Sequence, residues 1–459
     1  MPPLLLIIII LLNTMNMMRK EEMQHCHGYV CTLPNKPFLF QISYSPSSSY
    51  NDPSSSTTIG KLMECIEPFE EYLLHAPSSK SSILRIRPSP ACTDMICPPG
   101  SMAMLTSDYA LVLYHGIAKT FCTTPLQFPP EEFGEEEEET FVDFCFMTTP
   151  SSSSSSLSLF TMMSILFLKS NGHVYGASPI VFDSTIVSTK LVRDANTFLD
   201  GEILRLQHHH TETENKEARY RMCRGGKQFL LDAFGPSSST TTAAVNRNPY
   251  YVTSYIASSG TDKSSTIWPI QLQGPLLLSK TTPAAADDDD YGILSKALVM
   301  EYFGCCTSAN VSLDGIVIAS SSSSNNKILS FGIFPGGMTT LLPRFAFETL
   351  DDQSILDSGN YNCGAIVECI QLQEEDCVEE EEAMYTNALV TAGGGNGRLD
   401  CDIVMDPVKN GMLHVVSSKG IFTVTTNVLS VYAHNIAQDV EYNSNTSATP
   451  SFMRQQQQQ

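Results

Sequence analysis

The chain has 459 residues, with 27 Lys and Arg against 49 Asp and Glu, a formal charge of −22 at pH 7. At 42% hydrophobic and 9% aromatic residues it can fill a sizeable core, which excludes a wholly disordered chain. The acidic balance, without a Lys/Arg cluster, excludes a nucleic-acid-binding surface over the whole molecule, since phosphate is repelled unless basic residues are segregated.

Leu4–Leu12 is an unbroken apolar run, far shorter than the ~20 residues that span a bilayer. It resembles the apolar core of a secretory signal, but no Lys or Arg precedes it and the first basic residue is Arg19. A signal, a core strand and a gene-model artefact all stay open, and residues 1–28 are read as an N-terminal extension. Pro37–Tyr44 (PFLFQISY) is available for an early strand. Leu62, Met63, Ile66, Phe69, Leu73 and Leu74 follow helical spacing and predict one short helix.

A strand–turn–strand unit then recurs. Met102–Thr106 and Ala110–Tyr114 flank Ser107-Asp108, and Ile165–Leu168 and His173–Gly176 flank Ser170-Asn171-Gly172. Gly315–Ala319 and Ile328–Phe334 flank a serine run with Asn325-Asn326, and Leu413–Val416 and Ile421–Val424 flank Ser417–Gly420. Asn and Gly accept the positive φ of tight turns, so each unit predicts a β-hairpin. The strands are nearly continuous in apolar residues, which implies burial on both faces. Several such hairpins separated by variable insertions predict an all-β fold, a divergent β-propeller of about seven blades, complete or not. It is assigned to residues 29–440, with 441–459 as a disordered polar tail. The usual blade signatures are missing: Trp268 is the single tryptophan, and there is no Trp-Asp pair.

Between these units lie homopolymer runs: Glu135–Glu139, Ser151–Ser156, Asp287–Asp290, Ser320–Ser324, Glu379–Glu382 and the terminal Gln455–Gln459. Runs of one small polar or like-charged residue do not pack and read as loop insertions or tails, so much of the negative charge sits outside the core.

The sequence assigns no catalytic, cofactor-binding or metal-ligating residue. There is no G-x-S-x-G elbow, no H-E-x-x-H and no Walker lysine. Gly393–Gly397 is followed by a short strand-like segment, not by the helix N-terminus that phosphate binding requires. Cys26/Cys31 and Cys92/Cys97 share C-x4-C spacing, but zinc sites use tighter turns, and His208–His210 reads as loop. Asn310 and Asn445 begin glycosylation-type triplets that matter only in a secreted chain. Cys145 and Cys369, inside apolar strands, read as reduced cysteines acting as small hydrophobes.

Met104–Tyr114 (MLTSDYALVLY) is similar to a blade hairpin of the eighty-eight-kilodalton nucleoporin family, counterpart of the yeast eighty-two-kilodalton nucleoporin. Ile165–Gly176 resembles that family's next hairpin. Gly274-Pro275-Leu276, Pro283-Ala284-Ala285 and Asp290-Tyr291-Gly292 follow in the family's order, and Val311–Phe334, Ile366–Leu372 and Leu413–Val424 continue it. The likeness spans residues 82–440 and rests on collinear order. It implies a non-enzymatic structural subunit on the cytoplasmic face of the nuclear pore complex, docking other nucleoporins, including a partner's tail segment. It further implies support of mRNA, ribosomal subunit and protein export, with no cofactor, no direct nucleic acid contact and no membrane span. Family members continue into a C-terminal coiled coil, and no apolar heptad follows Val440, so a truncated or reduced member is expected. Four Phe-Gly dipeptides, at Phe133, Phe234, Phe303 and Phe331, read as core and turn residues. Two other readings stay open on the residues: a secreted or endomembrane propeller (hydrolase or lectin-like) and a cytosolic propeller adaptor.

Overall fold

The computed structural model describes residues 25–33, 36–43, 61–65, 83–90, 94–98, 101–107, 109–118, 120–125, 140–148, 158–208, 214–235, 250–252, 270–276, 278–280, 296–308, 311–321, 327–335, 364–372, 401–405, 411–417 and 420–435. Strands dominate, and nearly all pair antiparallel.

β1 (His25–Leu33), β2 (Lys36–Ser43) and β3 (Lys61–Cys65) form the first sheet. The helix expected from the spacing of Leu62 to Leu74 is not formed over its first turn. Lys61–Cys65 is strand, paired with Phe38–Gln41 of β2, so tertiary pairing outweighs the weak local periodicity. Residues 66–74 lie outside those described.

β4 (Ile83–Pro88), the two-residue β5 (Met95–Ile96), β6 (Met102–Thr106), β7 (Ala110–His115) and β8 (Thr120–Pro125) follow, and the second sheet runs β4-β6-β7-β8. Next come β9 (Phe141–Phe146), the single-turn α1 (Leu159–Met162), β10 (Ile165–Lys169), β11 (Val174–Ala177) and β12 (Ile186–Ser188). Two long helices, α2 (Thr189–His208) and α3 (Glu214–Phe234), separate these from β13 (Tyr250–Val252), β14 (Gln273–Leu276) and β15 (Leu278–Lys280). The third sheet is β14-β11-β10-β9, and β13-β12-β5 is a small one beside the helices. The long β16 (Lys296–Ser308), β17 (Val311–Ser321), β18 (Lys327–Pro335) and β19 (Gly364–Leu372) pair in sequence, and β15 adds parallel to β19. β20 (Cys401–Met405), β21 (Met412–Ser417) and β22 (Gly420–Thr425) close the strand series, followed by a helix, α4, over 428–435.

All four expected hairpins are present: β6/β7, β10/β11, β17/β18 and β21/β22. Gly172 takes φ +87° in the β10/β11 turn, where a side chain would be strained. Ser320 and Ser321 are not loop but the end of β17, opposite Ile328 and Lys327.

Burial on both faces is also realised. Ile165 and Phe167 of β10 enter one core with Leu105, Leu111, Phe144 and Tyr175, while Leu166 and Leu168 on the opposite face meet Met300, Tyr302, Ile316 and Phe334. Val299, Val317 and Phe331 in turn pack on Ile403, Leu413 and Val415 of the β20–β22 sheet. The third sheet and the β16–β19 sheet are thus each covered by the sheets before and after them, the face-to-face stacking of propeller blades. A bulge between Leu168 and Lys169 inserts Val142 and turns Phe141 onto the Phe144 face, where its ring lies edge-on to Tyr175 at 5.9 Å. Gly315 is required by contact: a Cβ there would lie 2.5 Å from the Phe303 ring. Of the Phe-Gly dipeptides, those at Phe303 and Phe331 are core strand and Phe234 is core helix, with Gly235 capping α3 at φ +78°. Phe133 lies outside the described residues.

The helical hairpin was not expected from the sequence. Ser188 accepts a hydrogen bond from the Leu191 N–H at 3.4 Å and caps α2. Leu191, Val192, Ala195 and Leu199 present one apolar stripe, which meets Cys223, Phe229, Leu230 and Ala233 of α3 and Leu159 and Phe160 of α1. Burial pushes the Cys223 thiol up to about 11, so it acts as a small hydrophobe. No helix among the described residues is long and apolar enough to cross a membrane.

Candidate docking edges and a central charge cluster

In four sheets β4, β9, β16 or β20 lies at a sheet edge. These four edges converge, and each brings a charged side chain. Arg85 and Arg87 alternate with apolar neighbours along β4 (ILRIRP), so period-two geometry points both guanidinium groups the same way. Asp143 of β9, on the face opposite Phe144, is fully buried between them. Arg87 Nη2 donates to Asp143 Oδ2 at 2.8 Å and to the Met300 carbonyl at 2.9 Å, and the Met300 N–H donates to the same Oδ2 at 2.8 Å. Arg85 Nε stands 3.0 Å from Asp143 Oδ1, within ion-pair range but out of line for a hydrogen bond. Arg85 also pairs with Asp402 of β20, and Arg87 with Glu301 of β16.

Burial works against the charge of Arg87, but Asp143, Glu301 and Asp402 outweigh it and hold its pKa well above the ordinary value. Arg85 is raised likewise, against burial, by Asp143 and Asp402. For Glu301 the balance goes the other way: burial pushes its carboxyl up to about 7 despite Arg87. Cys145, on the same side of β9, has its thiol raised far above the ordinary value by burial, which removes it as a nucleophile. The arrangement fixes strands; it presents no activated nucleophile or open metal position.

The far edges of the sheets are the places where a partner's backbone can pair. β14 is blunted by Pro275 and by Gly274 at φ +142°, and β8 ends at Pro125. β22 (GIFTVT) has neither proline nor charge. Phe422 and Val424 are half-buried against the Leu413 core, while Thr423 and Thr425 are exposed. Among the described residues it is therefore an amphipathic edge strand unpaired on one side, the geometry that accepts an added strand.

Arg85, Arg87, Asp143, Glu301 and Asp402 were not singled out from the sequence. The available signal was a lone charge inside an apolar strand: Asp143 in VDFCF, Glu301 in VMEYF, and the paired arginines of ILRIRP. Of the sequence's metal candidates, Cys97 is buried and His208 ends α2, and no group of metal ligands occurs among the described residues. Cys145 is buried as expected, but Cys369 is exposed, with Sγ 3.6 Å from Ser330 Oγ. Gly393–Gly397, Cys92, Asn310, Asn445 and the Leu4–Leu12 run lie outside the described residues.

No known family matches the chain by its sequence profile, and no curated protein matches it by sequence. Among solved structures, the chain is similar to one in the yeast heterotrimeric Nup82-Nup159-Nup116 nucleoporin complex, at 13% identity and a TM-score of 0.45, over 92% of this chain and 77% of that one. It is also similar to a chain of the Chaetomium thermophilum heterotrimeric Nup82 NTD-Nup159 TAIL-Nup145N APD complex, at 9% identity and a TM-score of 0.46, over 86% of this chain and 81% of that one.

Proposed function

We propose that this protein is a structural component of the nuclear pore complex, a propeller on its cytoplasmic side that docks other nucleoporins. In that role it supports export of mRNA, ribosomal subunits and proteins without catalysing a reaction. The observation that carries this reading is collinearity. The segments through which the sequence resembles the nucleoporin family, 104–114, 165–176, 311–334, 366–372 and 413–424, fall in order on paired strands of successive sheets. Their order is therefore that of a blade architecture, not a scatter of short apolar matches. The partners are other cytoplasmic-face nucleoporins presenting an extended tail, for which an uncharged edge such as β22 provides backbone donors and acceptors. Residues 29–440 act as the docking propeller, flanked by the extension 1–28 and the tail 441–459.

The test is location. A fluorescent tag fused after Gln459 and expressed from the native locus is expected to give a punctate nuclear rim. An endomembrane or secreted signal overturns the reading in favour of a secreted propeller, and a diffuse cytosolic signal overturns it in favour of a cytosolic adaptor.

A further inference from the structure

The central cluster holds two guanidinium groups and three carboxylates, so it carries one negative charge more than it can neutralise. Asp143 faces both arginines and the Met300 N–H, so its oxygens are the most fully partnered of the three acids. Asp402 is the most exposed of the three, with its side chain 38% accessible, and it also accepts the Ile403 N–H at 2.9 Å. Glu301 is the remaining acid: its side chain is 16% accessible, and Arg87, which it must share with Asp143 and the Met300 carbonyl, is its only ion-pair partner in the cluster.

We propose that the cluster is a proton-sensitive latch between the inner strands: a proton taken up by Glu301 removes the surplus charge and tightens β16 against β4 and β9, and its release loosens that junction.

The groups facing Glu301 can be named element by element. β4 brings Arg87, with Arg85 beside it on Asp143 and Asp402; β9 brings Asp143 and Cys145, and β20 brings Asp402. On β17 the residue opposite Glu301 is Val317, and Asp314 is occupied by the Tyr302 hydroxyl at 2.8 Å. Lys169 of β10 lies over the rings of Phe141 and Tyr175. Among the described residues, no cation beyond the two arginines faces Glu301 to absorb the extra charge. Protonation adds one solvent proton to Glu301 and leaves it a carbonyl oxygen for Arg87, while Asp143 keeps both guanidinium groups. Burial agrees with this assignment, holding the Glu301 carboxyl near 7 against an ordinary value of 4.5. Between those two values the folded chain binds a proton that the unfolded chain does not, so this group stabilises the fold increasingly as pH falls from 7 towards 5.

The experiment compares the full chain with Glu301→Gln, which is neutral and nearly isosteric, by denaturant unfolding from pH 5.5 to 8. Histidines and other groups titrate in both proteins, so the difference between the two profiles isolates Glu301. Relative to the variant, the parent is expected to gain up to roughly tenfold in folding equilibrium constant per pH unit below 7. Parallel profiles overturn the proposal. Hydrogen exchange of the parent alone, corrected for intrinsic rates, gives an independent readout should the variant fail to fold. Peptides covering residues 296–304, which include the Met300 amide, are expected to be better protected at pH 6 than at pH 8; equal or reversed protection overturns the latch.

Discussion

Asp143 is the residue on which the inner strands depend most. It is wholly buried, and its two oxygens serve Arg85, Arg87 and the Met300 amide, which come from two different sheets. Taking such a carboxylate out of water is costly, and its two guanidinium partners and the Met300 N–H offset that cost. Breaking a buried pair from one side leaves the other charges uncompensated, which typically costs about 3–5 kcal/mol. Asp143→Asn is therefore expected to lower the unfolding free energy by that order, measured by urea denaturation at neutral pH. Replacing Arg85, Arg87, Asp143 and Glu301 together with apolar residues of similar volume is expected to cost much less, because the one charge left without its partner, Asp402, is 38% accessible to solvent. A loss for the quadruple variant as large as for Asp143→Asn would show that packing, not charge, governs the junction.

Among the strands, β22 differs from the other far edges in carrying no device against pairing. Ser417 and Gly420 close a two-residue hairpin, and the register places Phe422 opposite Val415 and Thr423 opposite His414. In such a hairpin the hydrogen-bonded pairs alternate from the closing pair, so the Thr423 N–H faces away from β21. Thr423→Pro removes that donor without touching the Phe422 and Val424 side chains that pack inward. Co-purification of cytoplasmic-face nucleoporins is expected to fall several-fold for Thr423→Pro and to persist for Thr423→Val, with thermal midpoints close to the parent's. Unchanged capture by the proline variant would move docking to another surface. The same element shows what was legible beforehand. IFTV after Ser417–Gly420 announced a hairpin, because turn chemistry and apolar runs are local signals. The α2–α3 hairpin was missed although Ser188 caps it and Leu191, Val192, Ala195 and Leu199 hold helical spacing. Its mean hydropathy is low and Gly225-Gly226 interrupts α3, so local propensity argued against what packing on α1 stabilises. The helix expected near Leu62 failed over its first turn for the converse reason: Leu62 and Met63, which begin the helical pattern, lie in a strand that pairs with β2. The charge cluster was illegible because four strands far apart in sequence must meet before a lone Asp143 or Glu301 acquires a partner.

At the scale of the whole molecule, the inner sheets are covered on both faces, while the last described sheet leaves Val404 and Thr423 exposed. The β16–β19 sheet is covered on one side by the β9–β14 sheet through Met300, Tyr302 and Phe334, and on the other by Ile403, Leu413 and Val415. α4 adds Val428 and Ala433 against Leu313 and Ile333. Arg85 reaches from the second sheet to Asp402 of the last, so the end of the strand series is tied to its early part by charge as well as by apolar contact. Sheets coupled this way unfold together, because removing one exposes the buried faces of its neighbours. Far-ultraviolet and near-ultraviolet circular dichroism are accordingly expected to report one coincident transition. Ending the chain at residue 400 strips the cover from Val317, Phe331 and Leu372 and leaves Arg85 without Asp402. That truncated chain is expected to lose its soluble monomer on size-exclusion chromatography; if it instead remains monomeric with an unchanged thermal midpoint, the last sheet is an appendage and the coupling argued from Arg85 fails.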